Sequence, residues 1–554
     1  MTRAADLLLK ALSESGIKYI FGLPGSTEAP LLDALIANPE IHYVLSLHES
    51  IVIGMADGYA RATGRPAIAN LHTTVGTGNG LTGLFNAWKD HSPVVTIATH
   101  KHSRILGRDG FCVGPDLAEW AAPVTKWSWQ GIHADQITNE IFRAIKVSGT
   151  APYGPTYLCY PEDILGLEVE PSSIELQKPV MITEDTWPSP SQIDSIALRL
   201  ARSVNPVIIA GDEISSTHSA ELLAQLANML SIPVFQESRR SALNWNISTG
   251  DPAYAGEYSP RNPLVRDSDC ILALGCRLSV EFSPVSTPDV PPSAFLIHVH
   301  RDPWEVGKLY PPQLPVVASV RPVLKLLLGL LENREVEWNN DNLQKRKLNW
   351  PPRSITPDSD SSSLSHKNKL TPEDLAKALS YYAPEDTVIV DEAIRSSPAL
   401  LEHFPLRPGG YFHSSGGGLG WGLPAALGIQ MAWPNRCVIA ALGDGSLLFA
   451  IQALWTAVRE SLPVKIVVFN NSKYLAVKAG MVEYDHLAMQ TQIFPGVDLT
   501  NPLIDLVSVA KGFGVASRKA ETPEQLDEIL KWGFSYDGPV LIDVVVDDSP
   551  LGKG

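Results

Sequence analysis

A chain of 554 residues is longer than the ~250–300 at which one hydrophobic core stops growing, so two to four domains are expected. Apolar residues make up 44% and charged residues 19%, which are ordinary globular values. A formal charge of −16 argues against nucleic acid or an anionic membrane as partner, since both demand a basic face; a locally positive site for an anionic substrate stays open.

In chain order, MTRAADLLLKALSESG is interrupted by Lys10 and Glu14 and has no small-residue cleavage site, so no signal peptide is expected. No run of ~18 apolar residues follows anywhere, so no membrane span is expected. The same N-terminal segment reads as a helix over 4–15, leading into the strand KYIFGL and the turn PGS. A helix near 28–37, the strand HYVLSL, a helix near 50–63 and the strand AIANL come next. A Gly-rich turn, another helix and the strand PVVTIAT follow. This alternation predicts a parallel, doubly wound sheet over 1–166. A Pro- and Glu-rich stretch at about 167–190 reads as a linker. A second α/β domain is expected over 191–335, with strands PVIIAG, CILALG and FLIHVH. Residues 336–368 are polar, contain SDSSS and read as an exposed linker. The strands TVIVDE, CVIAAL, VKIVVF and VLIDVVV define a third domain over 369–554. The fold class is therefore α/β, with three doubly wound parallel-sheet domains. Five cysteines (112, 159, 270, 276, 437) form no C-x-x-C pair, which gives neither a disulfide framework nor a zinc site. A cytoplasmic enzyme is the expectation.

The sharpest motif is CVIAALGDGSLLFAIQALWTAVRESLPVKIVVFNN: strand, Gly443-Asp444-Gly445-Ser446, helix, strand, Asn470-Asn471. Asp444 falls just past a strand's C-terminal end, where open α/β sheets bind ligands. Gly445 lets the backbone approach a phosphate, and Ser446 opens a helix whose free N–H groups attract a diphosphate. Asn471 lies at the next strand end, beside Asp444 if the crossover is right-handed. A carboxylate, an amide oxygen, a carbonyl and phosphate oxygens would suit octahedral magnesium. The bland alternative is an ordinary βαβ unit with turn residues. In the first domain, Glu49 falls where a strand meets an apolar helix, an expensive place for a charge unless it bonds a ligand nitrogen; a Glu on the helix dipole is the structural alternative. HSSGGGLGWGLPAALG and VGTGNG are Gly-rich but do not fit the dinucleotide pattern G-x-G-x-x-G.

The GDG–24 residues–NN arrangement resembles the binding motif of the thiamine-diphosphate enzymes. The resemblance runs over nearly the whole chain, in the order pyrimidine-binding, middle and diphosphate-binding domain. It implies thiamine diphosphate and magnesium, the metal held by Asp444, Asn471 and the carbonyl of Lys473. Gly443, Gly445, Ser446 and Tyr474 would line the cofactor. Glu49 would activate the aminopyrimidine, Gly417 would accept from its exocyclic amine, and Leu419 would wedge the two rings apart. PGSTEAP, NLHTTVGTGN, NAWKDHSPV, GGLGWGLPAALG and GDGSLLFAIQALWTA are similar to the benzoylformate decarboxylase branch. On that likeness Ser26 would bind the substrate carboxylate, with a helix N-cap as its bland reading. His72 would be an acid–base group. His100, His102, His413, Ala476 and Val477 are candidate pocket residues: His413, Val477 and Gly480, with Ala476 beside them, suggest a roomier, more polar pocket than a phenyl-specific one, while His100 or His102 would stand in for a missing histidine or be an exposed loop histidine.

Two departures stand out besides the pocket, and one feature of the acetolactate synthases is missing. Where that branch has a middle-domain histidine, GCRLSVEFSP has Phe282; loss of a proton donor would favour carboligation over aldehyde release. Ile394 and Arg395 occupy positions where relatives bind diphosphate with Ser or Thr. No Gly-His-Gly-like segment accompanies the middle domain, so FAD is not expected. The resemblance implies decarboxylation of a 2-oxo acid with release of an aldehyde or acyloin formation. An acetolactate-synthase-like carboligase is the alternative, and a degenerate cofactor binder or a nicotinamide-dependent dehydrogenase the rivals from other classes. It also implies a homodimer or homotetramer with active sites at the subunit interface.

Overall fold

The computed structural model describes residues 2–170, 185–238, 241–278, 288–333, 340–349 and 369–547, with 180, 182 and 280 besides. Two compact units divide it: Met1–Ile182 with Asp360–Leu400 and Gly416–Gly554, and Thr183–Ser359 with Leu401–Ser415.

The first unit holds two parallel sheets. In the N-terminal one, β1 (Tyr19–Gly22), β2 (His42–Leu45), β3 (Ala67–His72), β4 (Val94–His100), β5 (Trp127–Gln130) and β6 (Thr156–Pro161) lie in the order β2-β1-β3-β4-β6-β5. Its helices include α1 (Ala4–Glu14), α2 (Ala29–Ala37), α3 (Glu49–Thr63) and α4 (Thr73–Lys89). α1 buries Leu7, Leu8, Leu9 and Leu12 into one cluster with Ile20, Ile68, Val95 and Leu158, as its apolar spacing requires. The expected Gly-rich turn at VGTGNG is instead the first half of α4. Glycine weakens a helix, yet here it permits contact. A Cβ at Gly80 would lie 2.8 Å from Leu71, and one at Gly83 2.7 Å from Ile53.

The second unit's sheet is also parallel. β7 (Pro206–Ala210), β8 (Val234–Gln236), β9 (Tyr254–Glu257), β10 (Cys270–Leu274), β11 (Phe295–His300) and β12 (Leu314–Val317) run in the order β9-β8-β7-β10-β11-β12. Helices α5 (Pro190–Arg202) and α6 (Ala220–Leu230) belong to this unit. So does α7 (Asn340–Asn349), inside the stretch expected to be a linker. Its sequence NDNLQKRKLN is too polar to show an amphipathic period. Its anchor is Arg346, buried, which donates to the carbonyls of Leu200 and Ser203 at the end of α5 and of Leu230 at the end of α6. A cation on two helix C-termini satisfies carbonyls that have no partner within their helices. The 167–190 stretch is not wholly linker either: Glu168–Val169 pairs antiparallel with Thr2–Arg3, and a Ser189/Gln192 capping box starts α5.

In the C-terminal sheet of the first unit, β13 (Val388–Glu392), β14 (Val438–Gly443), β15 (Lys465–Asn470), β16 (Ala516–Ala520) and β17 (Val540–Val545) run parallel in the order β13-β14-β15-β17-β16. Helix α8 (Gly422–Ala432) crosses α3 with almost no side chain between the backbones. A Cβ at Gly58 would stand 2.2 Å from the Ala425 carbonyl, and one at Gly428 2.0 Å from that of Met55. Across this crossing the Trp421 indole donates to the buried Asp57 at 2.6 Å, and Ser92 donates to its other oxygen.

Candidate active site

Three groups of sequence-nominated residues take shape in the first unit. The first lies at the ends of β14 and β15. Gly443 is the N-cap of a short helix, Asp444–Leu448, that turns off at Phe449 through three-residue hydrogen bonds; a second helix begins at Ala453. The one amphipathic helix expected after GDGS is therefore two, and the N–H groups at Asp444, Gly445 and Ser446 form a single turn. Asp444 is buried, and burial pushes its carboxyl up to about 6 against the opposing backbone N–H groups. The Asn471 N–H points to Asp444 Oδ1 at 3.4 Å, and the Asn471 side-chain oxygen accepts from the Lys473 N–H at 3.0 Å. Tyr474 covers Gly445, where a Cβ would meet its ring at 2.6 Å. Ser446 is buried. No ion pair holds the Asp444 carboxyl, and no three His, Cys, Asp or Glu side chains gather as a metal centre among the described residues. A buried carboxyl, an amide oxygen and a main-chain carbonyl suit a hard divalent cation. Beside them Ile394 has φ +54, a strained value for a β-branched residue, and Arg395 is exposed.

The second group surrounds Glu49, the first residue of α3, only 6% exposed. Asn79 on α4 donates to its Oε2 at 3.0 Å, and a Cβ on Gly76 would sit 3.1 Å from Oε1. Among the described residues it has no basic partner. Asn79 and Gly76 are functional neighbours that the sequence analysis missed, although both stand in VGTGNG. The Gly-rich segment after Ser415 follows, with Gly417 exposed at φ +78 and Leu419 half-buried.

The third group is built on Glu28, which the sequence analysis passed over inside PGSTEAP. Glu28 is fully buried and accepts from the Gly25 N–H at 2.7 Å, the Thr27 hydroxyl at 3.1 Å and the Thr99 hydroxyl. His72, last residue of β3, sets Nδ1 2.8 Å from Glu28 Oε2 and 2.9 Å from the Thr27 hydroxyl. An acceptor-only carboxylate assigns the proton to Nδ1 and leaves Nε2 the bare nitrogen. Gly25 is obligatory, since a Cβ there would lie 2.3 Å from the His72 ring. Ser26, exposed, opens a single turn whose N-cap is Gly25, so it is not itself the cap. Its oxygen accepts from the Lys101 ammonium at 3.3 Å, which leaves the hydroxyl proton to donate elsewhere.

The remaining candidates scatter. His100 is buried with Nδ1 unpartnered, and burial lowers its pKa. His102 caps the turn Ser103–Arg108, its Nδ1 accepting from the Arg104 N–H at 3.3 Å and lying 3.6 Å from Asp163. Ala476, Val477 and Gly480 are exposed on the helix Leu475–Tyr484. His413 belongs to the second unit, and Phe282 lies outside the described residues. Among the described residues no hydrogen bond or ion pair joins Glu49 or His72 to Asp444 or Asn471.

Three family models match the chain. The thiamine pyrophosphate enzyme N-terminal binding domain covers residues 2–119, the central domain 193–327 and the C-terminal binding domain 396–544. Benzoylformate decarboxylase of Pseudomonas aeruginosa is 32% identical over 543 residues, 96% of this chain and 97% of that protein. A probable acetolactate synthase large subunit of Methanocaldococcus jannaschii is 29% identical, over 98% of this chain and 92% of its own length. A solved structure of a thiamine diphosphate-dependent 4-hydroxybenzoylformate decarboxylase from Rhodococcus jostii RHA1 superposes with a TM-score of 0.87 at 29% identity, covering 99% of each chain.

Proposed function

The chain belongs to the thiamine pyrophosphate enzymes, and from that premise we propose that it decarboxylates a 2-oxo acid and then releases an aldehyde or joins the acyl unit to a carbonyl acceptor. The observation that carries this reading is Glu49, a carboxylate buried at a helix start, held by Asn79 and lacking a basic partner. Such a group is costly unless a ligand uses it.

When bound, thiamine diphosphate supplies the electron sink for loss of carbon dioxide. The residues do the rest. Asp444, Asn471 and the Lys473 carbonyl would hold magnesium, and the Gly443–Ser446 turn and Tyr474 would line the diphosphate. Glu49, held at Oε2 by Asn79, would hold or move a proton at Oε1, and Gly417 and Leu419 would set the pyrimidine. The Ser26 hydroxyl binds the substrate carboxylate, and the Lys101 ammonium behind it supplies the local positive charge that a −16 chain lacks overall. His72 gives or takes a proton at Nε2, its tautomer set by Glu28. The domain bounds 1–166, 191–335 and 369–554, a homodimeric or homotetrameric state, a cytoplasmic location and independence from FAD complete the reading.

Mass spectrometry of products from mixed aromatic and aliphatic 2-oxo acids, with thiamine diphosphate and magnesium, tests it. Aldehydes alone mean that protonation by His72 wins; mixed acyloins mean a carboligase, and their side chains identify donor and acceptor. Glu49→Gln is expected to abolish turnover with the fold and cofactor binding retained. Retained turnover in that variant overturns the assignment.

A further inference from the structure

We propose that Asn86 is a positioning residue of the cofactor site: it fixes the loop at residues 416–420 and, through α4, ties that loop to Glu49. This rests on the reading that Gly417 and Leu419 hold the cofactor's pyrimidine. Asn86 is 2% exposed on α4. Its amide oxygen accepts from the Gly418 N–H at 3.0 Å, and its amide nitrogen donates to the Gly418 carbonyl at 2.8 Å. One primary amide thus satisfies both polar groups of a single residue, as a neighbouring strand would. The glycine string follows from this docking. A Cβ at Gly416 would lie 2.3 Å from the Asn86 amide oxygen, and one at Gly418 would lie 2.6 Å from Thr82 and 2.8 Å from that same oxygen. Gly417 between them has φ +78 and open space where a Cβ would be. The clamp therefore bonds the loop just after the residue that faces outward and packs closely against it just before.

Asn79, which holds Glu49, precedes Asn86 by two helical turns on the same face of α4, about 10 Å along the axis. The same helix therefore carries both the hydrogen bond to Glu49 and the clamp on the 416–420 loop. The diphosphate end of the site, at the ends of β14 and β15, has no part in the clamp, and this separates the two ends experimentally.

The test is calorimetric titration of wild type and Asn86→Ala with thiamine diphosphate and, separately, with inorganic diphosphate, both in excess magnesium. If the unclamped loop holds its binding conformation about a tenth of the time, thiamine diphosphate binds about tenfold more weakly. Inorganic diphosphate is expected to bind both proteins alike. Equal thiamine diphosphate affinity in the two overturns the inference, as does an equal loss for both ligands, which would mark a merely structural residue. Wild type that binds inorganic diphosphate but not thiamine diphosphate overturns the cofactor reading, and the inference with it. Should Asn86→Ala fail to fold, Asn86→Asp replaces it under the same expectation: it keeps the acceptor for the Gly418 N–H and sets a carboxylate oxygen against the Gly418 carbonyl.

Discussion

Asp444, Asn471 and Glu49 were legible because each sits where an apolar strand or helix pattern ends, and a polar residue at a fixed place in such a pattern announces itself. Glu28 did not announce itself. PGSTEAP reads as a turn, and only the fold brings Gly25, Thr27, Thr99 and His72 around that carboxylate. Lys101 was passed over in the same way: IATHKHSR drew attention to its histidines, whereas His100 is buried in β4, His102 caps a turn, and the lysine between them reaches Ser26. If Glu28 serves His72, Glu28→Gln lowers kcat about 10- to 100-fold, less than the ~10²–10⁴-fold that a general acid–base group itself contributes. Thiamine diphosphate affinity, set elsewhere, is expected to stay within about twofold. Steady-state kinetics beside a cofactor titration reads both, and parallel losses would mean that Glu28 only supports the fold.

Strand and helix order followed from hydrophobic alternation, and the misread elements are those where packing overrode local preference. α4 is helical in spite of its glycines because they let it approach Leu71, Ile53 and Glu49, and α7 is helical because Arg346 docks it. The α3–α8 crossing follows the same rule. Gly58→Ala drives a methyl into the Ala425 carbonyl and is expected to cost about 3 kcal/mol or more. Gly329→Ala, in the helix Val320–Glu332 with open space around it, is expected to stabilise by about 0.5–1 kcal/mol. Urea midpoints compare the two. In β11 a pH dependence is built in. His298 Nδ1 accepts from the Gly307 N–H at 3.2 Å and His300 Nδ1 from the Asp302 N–H at 3.0 Å, so both rings are neutral. Burial lowers both pKa values, that of His300 to about 3. A lowered histidine contributes stability that is present above the unfolded value of ~6.5 and lost as pH falls towards the folded one. Between pH 7 and pH 5 the middle sheet is expected to lose about 2 kcal/mol or more, most of it at His300. Hydrogen-exchange protection of β10 and β11 reads it, and a flat profile would contradict it.

At the scale of the whole molecule, the N- and C-terminal sheets repeat one topology: β1-β3-β4-β6-β5 is matched by β13-β14-β15-β17-β16. His72 stands at a strand end of one sheet and Gly443-Asp444 at a strand end of the other, and among the described residues no hydrogen bond or ion pair joins Glu49 to Asp444. The sequence resemblance already implied sites at a subunit interface, and a division of labour between subunits is a proposal that complementation can test. If the carboxylate of one subunit serves the metal end of another, two inactive proteins are expected to complement each other. Glu49→Gln subunits retain Asp444, and Asp444→Asn subunits retain Glu49. In a mixed dimer one site receives both intact residues and the other receives neither. Random reassortment makes half the dimers mixed, so a mixture dissociated and reassembled is expected to recover about a quarter of wild-type turnover, while each protein alone stays inactive. A mixture as inactive as its components, with subunit exchange verified by mass spectrometry of the intact assembly, would place Glu49 and Asp444 of one chain in one site.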